Sequence, residues 1–199
     1  EGVFMASTSE KELEIIKKDN RLIQARYRVG LHEQRILYAV LGAIRVDDKG
    51  FDTYTIDLRQ LAQMHGITAS NDLYRQIQAA AEQLLVTIVD ISMGNRTRKT
   101  TWLNYVDYVA GEAELKVTIH EKLKPYLLQL KANFTQYQLA AVVNFRNSYS
   151  IRFYELLKMR QNMGKGGQFY IEYSILELKS VLGIPIDEYQ YTKDFRMRV

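Results

Sequence analysis

Asn95-Arg-Thr-Arg-Lys-Thr-Thr101 is the densest cationic run in the chain, with Arg96, Arg98 and Lys99 set among threonines. At the tip of a predicted hairpin these side chains could lie along a phosphate backbone, where each neutralised phosphate releases counterions and stabilises association. The same charges could instead keep an edge hairpin soluble. A second polar set opens a predicted helix. Ser70, Asn71, Tyr74, Arg75 and Gln78 lie away from Leu73 and Ile77, and can hydrogen-bond phosphates or bases or form a solvated face. A third set, Lys193, Arg196 and Arg198, lies at a helix start near the last residue. Arginine can bond guanine O6 and N7 in pairs, so Arg196 and Arg198 are candidate base readers. Arg152 and Glu155, three positions apart, read as a structural pair on one helix.

Other chemistries lack their residues. There is no cysteine, which removes disulfides and thiolate zinc sites and makes a reducing cytoplasm the expected home. His32, His65 and His120 lie far apart without ligand spacing, and solvated or capping roles are expected in place of metal binding. Gly164-Lys-Gly-Gly167 has letters of a phosphate loop but not its full pattern after a buried strand, and reads as a hairpin-like turn. No nucleophile, metal or cofactor constellation remains, so neither an enzyme activity nor a cofactor is expected. Fourteen tyrosines could suggest stacking on single strands. Tyr105, Tyr108, Tyr126, Tyr137, Tyr149 and Tyr154 nevertheless sit within apolar patterns, which places them in core or interface packing with the hydroxyl at the edge. No apolar run approaches the roughly 18–20 residues of a membrane span, and the opening Glu1-Gly-Val-Phe-Met-Ala-Ser-Thr8 carries no secretory signal. Against 23 acidic residues stand 27 lysines and arginines; the resulting +4 is a mild lean toward an anionic partner.

The elements that would position these residues can be read from period and punctuation. The first ten residues are expected to fray, and a helix is expected within 10–18. Asn20–Arg28 reads as a mixed segment. Glu33–Arg45 reads as a helix with Ile36, Leu37, Val40, Leu41 and Ile44 on one stripe, followed by a turn at Asp47–Gly50. Thr53–Ile56 reads as a strand, Asp57 as the cap of a helix over Leu58–His65, and Gly66 as its stop. A turn over Thr68–Asn71 leads into a helix over Asp72–Leu85. Strands follow at Val86–Ser92, Thr100–Val109 and Ala113–Ile119, the first two turned at Gly94-Asn95. This is the order of a winged helix, a helix-turn-helix with an appended hairpin. His120–Lys131 and Gln136–Asn144 read as two further helices, with no flexible linker around them.

The segment also repeats. Asp57-Leu-Arg-Gln-Leu-Ala-Gln-Met-His-Gly-Ile67 aligns without gaps on Ser174-Ile-Leu-Glu-Leu-Lys-Ser-Val-Leu-Gly-Ile184. Each copy has a cap residue, Gln or Glu three residues later, Leu at the fifth position and a closing Gly-Ile. A strand precedes each, at Thr53–Ile56 and Phe169–Glu172, and before that a long helix, at Glu33–Arg45 and Ser148–Gln161. A helix start follows each, at Asp72 and near Thr192. The expected fold is therefore α+β: tandem winged helix-turn-helix units, the second one truncated. The expected boundaries are a flexible or helical extension over 1–19, a first winged-helix domain over 20–146 and the start of a second over 147–199.

Several segments carry a resemblance. Asn20-Arg-Leu-Ile-Gln-Ala25, Leu31-His-Glu-Gln-Arg-Ile-Leu37, Phe134-Thr-Gln-Tyr-Gln-Leu139, Tyr149-Ser-Ile-Arg-Phe-Tyr-Glu-Leu-Leu157 and Tyr189 through Arg198 occur in an order similar to that of the iteron-binding Rep-type plasmid replication initiators. The resemblance runs from about Asn20 to Val199. It implies binding of double-stranded DNA at repeated origin sequences (iterons), opening of the duplex for the host helicase and polymerase machinery, and repression of the protein's own gene by a homodimer on an operator. It also implies that the chain is a piece of a longer protein, ending where a second recognition helix begins. Two other readings of the same fold stay open: a plain transcriptional repressor, and a dimerisation module whose surface is supplied by Thr100–Val109 and Ala113–Ile119.

Overall fold

The computed structural model describes residues 2–3, 14–45, 48–108, 112–163 and 172–199. Its first elements are β1 (Gly2–Val3), β2 (Ile15–Asp19), α1 (Asn20–Ile23) and α2 (Leu31–Ala43). In α2, Ile36, Leu37, Val40 and Leu41 are buried as their spacing demands, and Gln34, Tyr38 and Ala39 are buried as well, so this helix runs through the core. Next come β3 (Tyr54–Asp57), α3 (Leu58–Met64) and α4 (Asn71–Val86), then β4 (Ile88–Met93), β5 (Arg96–Thr101), β6 (Leu103–Tyr108) and β7 (Glu114–Ile119). A 3-10 turn leads into α5 (Lys124–Leu127), followed by β8 (Phe134–Gln138), α6 (Ser148–Met163), α7 (Ile175–Val181) and α8 (Thr192–Arg198). Among the described residues no helix is long and apolar enough to cross a membrane.

A four-stranded sheet runs in the order β1-β3-β7-β6. Its inner face carries Leu103, Leu115, Val117 and Ile119, all fully buried, and Ile56 sits opposite Leu115. The helix-turn-helix α3–α4 packs on this sheet, with Leu58, Leu61 and Ala62 of α3 and Leu73, Ile77, Ala80, Ala81 and Leu84 of α4 facing inward. The winged-helix order is thus α2, β3, α3, α4, β6, β7. The β4–β5 hairpin is a separate two-stranded sheet inserted before β6.

Four expectations need correction. Residues 15–19 are not helical: they form β2, antiparallel to β8, with Ile15 opposite Gln138 and Asp19 opposite Phe134. Ile16 and Lys18 turn inward while Ile15 is exposed, so this part of the expected N-terminal extension belongs to the core. Gln136–Asn144 likewise begins as strand β8, with Thr135 and Tyr137 buried, and ends in a short 3-10 turn over Leu139–Ala141. The helix expected over His120–Lys131 is only a 3-10 turn and the four residues of α5, with Pro125 near its start. Thr100–Val109 is not one strand. Trp102, fully buried, divides β5 from β6, and the two strands enter different sheets. The expected strand Phe169–Glu172 has residues 169–171, and the expected turn Gly164–Gly167 all of its residues, outside the described set, as are residues 4–13 of the expected frayed and helical start, Asp47 and Val109.

The repeated segment folds alike in both copies. The Asp57 carboxylate accepts from the backbone N–H groups of Arg59 and Gln60. Ser174 accepts from Glu177 N–H while the Glu177 carboxylate accepts from Ser174 N–H, a full capping box. At the far ends, Gly66 and Gly183 adopt φ of 62° and 68°. Ile67 N–H bonds the Ala62 carbonyl as Ile184 N–H bonds that of Lys179, and Gly66 N–H bonds Gln63 as Gly183 N–H bonds Ser180. This is the Schellman closure, which satisfies otherwise orphaned helix carbonyls.

Around the second copy, Leu182, Ile184 and Phe195 form a small core with Tyr149, Phe153 and Leu178, so α6, α7 and α8 pack on one another. A buried polar network joins α6 to the rest. Lys18 Nζ lies 2.5 Å and Arg152 Nη1 3.0 Å from the Glu155 carboxylate, which also accepts from Tyr38 (3.0 Å) and Tyr137 (2.6 Å). Arg152 further donates to Tyr27 and to the carbonyls of Ile23 and Ala25. Burial alone would raise the Glu155 carboxyl, but the adjacent Lys18 and Arg152 and the bonds from Lys18 and Tyr137 hold it at about 2. Burial pushes Lys18 down despite the attraction of Glu155. The expected Arg152–Glu155 pair is therefore part of a larger network that spans β2, α2, β8 and α6.

Candidate nucleic-acid interface

The first helix-turn-helix presents the start of α4. Ser70 is its cap: the hydroxyl accepts from Leu73 N–H at 3.1 Å. Asn71 and Arg75 are exposed, Gln78 is half-buried, and Tyr74 is half-buried against the main core. Asp72 lies between the polar side chains, with Arg75 at 3.2 Å and Gln76 at 2.7 Å. Arg75 is thus partly offset by a carboxylate of its own helix.

The basic hairpin differs more from expectation. Its tip is Gly94-Asn95, with Gly94 at φ 72°, and Arg96, Arg98 and Lys99 lie along β5. Strand alternation divides them between two faces. Arg98 and Arg96 pair with Ile91 and Met93 on the face that also carries the buried Val89, while Lys99 pairs with Asp90 on the other. Arg98 turns toward α5: its Nη1 donates to the Tyr126 hydroxyl at 3.2 Å, and its guanidinium lies 5.6 Å from that ring centroid. Arg21 stacks on the same ring at 5.2 Å. Lys99 approaches Asp90 at 3.8 Å. Arg96 is exposed and has no ion-pair partner among the described residues. The expected three-cation tip is therefore one free cation, one docked on an aromatic ring and one offset by an acid.

Sequence reasoning missed Arg26 and Arg28. From Ala25 to Val29 buried and exposed residues alternate, with both arginines outward. Arg26 exchanges two 2.9 Å backbone bonds with Asp90, so this segment extends the β4–β5 sheet. Arg28 forks onto Glu188 at 2.5 and 3.0 Å, ahead of α8. The alternation in Ala25-Arg-Tyr-Arg-Val29 was the available signal.

In the second helix-turn-helix, Phe195 anchors α8 in the small core. Successive helix residues turn by about 100°, so Lys193 and Met197 point away from that core, with Arg196 on the flank. Lys193 and Arg196 are exposed; Arg198 falls within the helix, but its side chain is outside the described set. Beside them Asp187, Tyr189, Gln190, Tyr191, Asp194 and Met197 line an open recess of about 510 Å³. Tyr191 and Met197, which sequence reasoning passed over, are 72% and 65% exposed.

The histidines take local roles. His120 Nδ1 accepts from Lys122 N–H, and His65 Nδ1 donates to the Val143 carbonyl at 2.7 Å. Burial lowers His65 to about 4, so it is neutral near pH 7. Of the tyrosines, Tyr126 and Tyr137 are buried, with the Tyr137 hydroxyl deep in the Glu155 network and not at an edge. Tyr149 and Tyr154 are half-buried, whereas Tyr105 and Tyr108 are exposed on β6, which among the described residues is an outer strand of the main sheet.

Residues 15–158 match the family described as Initiator Replication protein, WH1. A replication initiation protein of Escherichia coli is 28% identical over 185 residues, which cover 90% of this chain and 57% of that protein. The chain thus spans little more than half the length of that relative. Its fold is similar to that in the crystal structure of Pi initiator protein in complex with iteron DNA, with a TM-score of 0.67, 21% identity, and 86% of this chain and 73% of that one covered. That likeness is one of winged-helix fold.

Proposed function

The chain belongs to the initiator replication protein family, and on that premise we propose that it binds double-stranded DNA at directly repeated origin sequences and helps to open the origin for the host's replication machinery. The observation that carries this reading is the family match over 15–158, most of the chain. The protein acts by binding, without covalent chemistry of its own. Base reading falls to α8, where Lys193 and Arg196 are exposed and arginine can bond guanine O6 and N7, with Arg198 a further candidate by residue type alone. Backbone contact falls to Arg96 and to the N-terminal half of α4, through Asn71, Tyr74, Arg75 and Gln78. A homodimer would use the outer strand β6, where Tyr105 and Tyr108 are exposed. In that form it would sit on an operator and repress its own gene. A host helicase or another replication protein is the remaining partner, and a cytoplasmic location follows from those partners.

The test is fluorescence anisotropy at fixed salt, with a labelled duplex carrying the direct repeats beside the protein's own gene and a scrambled duplex of equal composition. Specific binding is typically about a thousandfold or more tighter than non-specific binding, and the native duplex should win by a clear margin of that kind. Equal affinity for the two would overturn the reading.

A further inference from the structure

Lys179 sits on α7, whose neighbouring side chains are mostly exposed, yet it is only 5% exposed itself. Its side chain turns back into the loop between α7 and α8. Nζ donates to the carbonyls of Glu188 at 2.6 Å, Tyr189 at 2.9 Å and Ile186 at 3.2 Å. A lysine ammonium has three N–H donors, and here each has a backbone acceptor. The Lys179 carbonyl meanwhile accepts from Ile184 N–H. One residue therefore holds the loop from its first turn to the approach of α8.

The repeat explains why a lysine stands there. The matching residue in the first copy is Ala62, whose carbonyl makes the same closing bond to Ile67. After Ile67 only Thr68–Ser70 precede α4, whereas Pro185–Tyr191 precede α8. The longer loop turns more carbonyls inward and bends through Tyr189 at φ 52°, a region that non-glycine residues rarely adopt. Inward carbonyls without partners are costly, and the lysine satisfies three. From outside, Arg28 grips Glu188 in the same loop.

We infer that Lys179 is a positioning residue for DNA recognition, its amine fixing the α7–α8 loop and so the direction in which α8 presents Lys193 and Arg196. This rests on the reading that α8 faces the bases. Affinity for the cognate sequence depends on that direction, because only correctly placed α8 conformers bind. General attraction to phosphate does not depend on it.

The experiment compares wild type, Lys179→Met and Lys179→Arg in the full chain. Amide exchange is followed at Phe195 and Val199, whose N–H groups bond Tyr191 and Phe195 carbonyls, and across α6 as a control. Anisotropy is measured on the native-repeat and scrambled duplexes. Lys179→Met should speed exchange in α8 by about tenfold or more with α6 unchanged. It should weaken native-repeat binding about tenfold and leave scrambled binding within about twofold. Lys179→Arg, which keeps the donors, should recover most of both. Unchanged exchange in α8, equal losses on the two duplexes, or loss of protection in α6 as well would each overturn the inference. A wild type that binds both duplexes alike overturns the base-reading function, and with it the DNA half of the inference, while the exchange arm still decides whether Lys179 holds α8.

Discussion

Lys18 on β2 reaches Glu155 on α6, 137 positions along the chain, and their Nζ and Oε1 atoms meet at 2.5 Å with both residues almost wholly out of water. With Arg152 beside them, two cations share one carboxylate. Glu155→Gln should lower the stability measured by urea unfolding by about 3–5 kcal/mol, because both cations then lack an anion inside the protein. Adding Lys18→Met should restore part of the loss by removing one uncompensated charge. An unchanged unfolding midpoint for Glu155→Gln, or a further loss in the double variant, would show that the network does not carry this load.

Acid should weaken the fold in two stages. His65 is held at about 4 against an ordinary 6.5, so its contribution is full above 6.5 and fades as pH falls toward 4. Glu155 is held at about 2 against 4.5, so its contribution is full above 4.5 and fades toward 2. In both cases the unfolded chain binds the proton first, and stability falls with pH. Thermal midpoints from pH 8 to 3 should show the first decline in wild type and lose it in His65→Gln. A profile equally steep in that variant would exclude His65 as the source.

The two closing glycines should respond differently to alanine. At Gly66 an added Cβ meets nothing within 4 Å, so Gly66→Ala should cost only the left-handed backbone penalty of about 1–2 kcal/mol. At Gly183 the same Cβ would lie 2.5–2.7 Å from the Tyr27–Arg28 peptide. Gly183→Ala should therefore be the more destabilising by a wide margin in parallel urea melts. Similar losses would mean that the close approach to that peptide relaxes freely.

The hairpin cations should separate in salt titrations. Arg96→Ala should make the logarithmic salt dependence of DNA binding shallower by about one unit, the value for one lost phosphate contact. Lys99→Ala should change it less, since Asp90 already offsets that charge. Arg98→Ala should leave the slope alone and loosen the hairpin from Tyr126. Equal slope changes for all three would restore the picture of a uniform phosphate-binding tip.

Arg196→Ala should change which sequences are preferred, whereas Arg96→Ala should weaken binding to all duplexes alike. Selection from a pool of randomised repeats reads the difference. An Arg196 variant with unaltered preference would move base reading to Asn71, Tyr74, Arg75 and Gln78.

Local rules made the helix-turn-helix cores legible. Asp57, Ser174 with Glu177, Gly66 and Gly183 cap where residue type says they should, and the buried face of α4 follows its spacing, while α2 is buried beyond its expected stripe. What was hidden depends on distant partners. Ile15-Ile-Lys-Lys-Asp19 has no alternation of polarity, and Lys18 can be buried only because Glu155 arrives much later in the chain. At the candidate interface, the exposed Lys193 and Arg196 were visible from type and place. The splitting of Arg96, Arg98 and Lys99 was not, because strand limits decide which side each one faces. Lys179 was invisible for another reason: its acceptors are backbone carbonyls, which leave no mark in the sequence.

The pairing of β2 with β8 also sets an order of events during synthesis. Ile15–Asp19 finds its partners at Phe134–Gln138, more than a hundred residues later in the chain. At about 5–20 residues per second a ribosome leaves β2 unpaired for roughly 6–25 s, long after α2 can have begun to coil. Over that interval Ile16, with the strand's backbone donors and acceptors around it, stays open to other chains. The strand is made early but placed late, so the rate of elongation governs how long the nascent protein carries an adhesive edge.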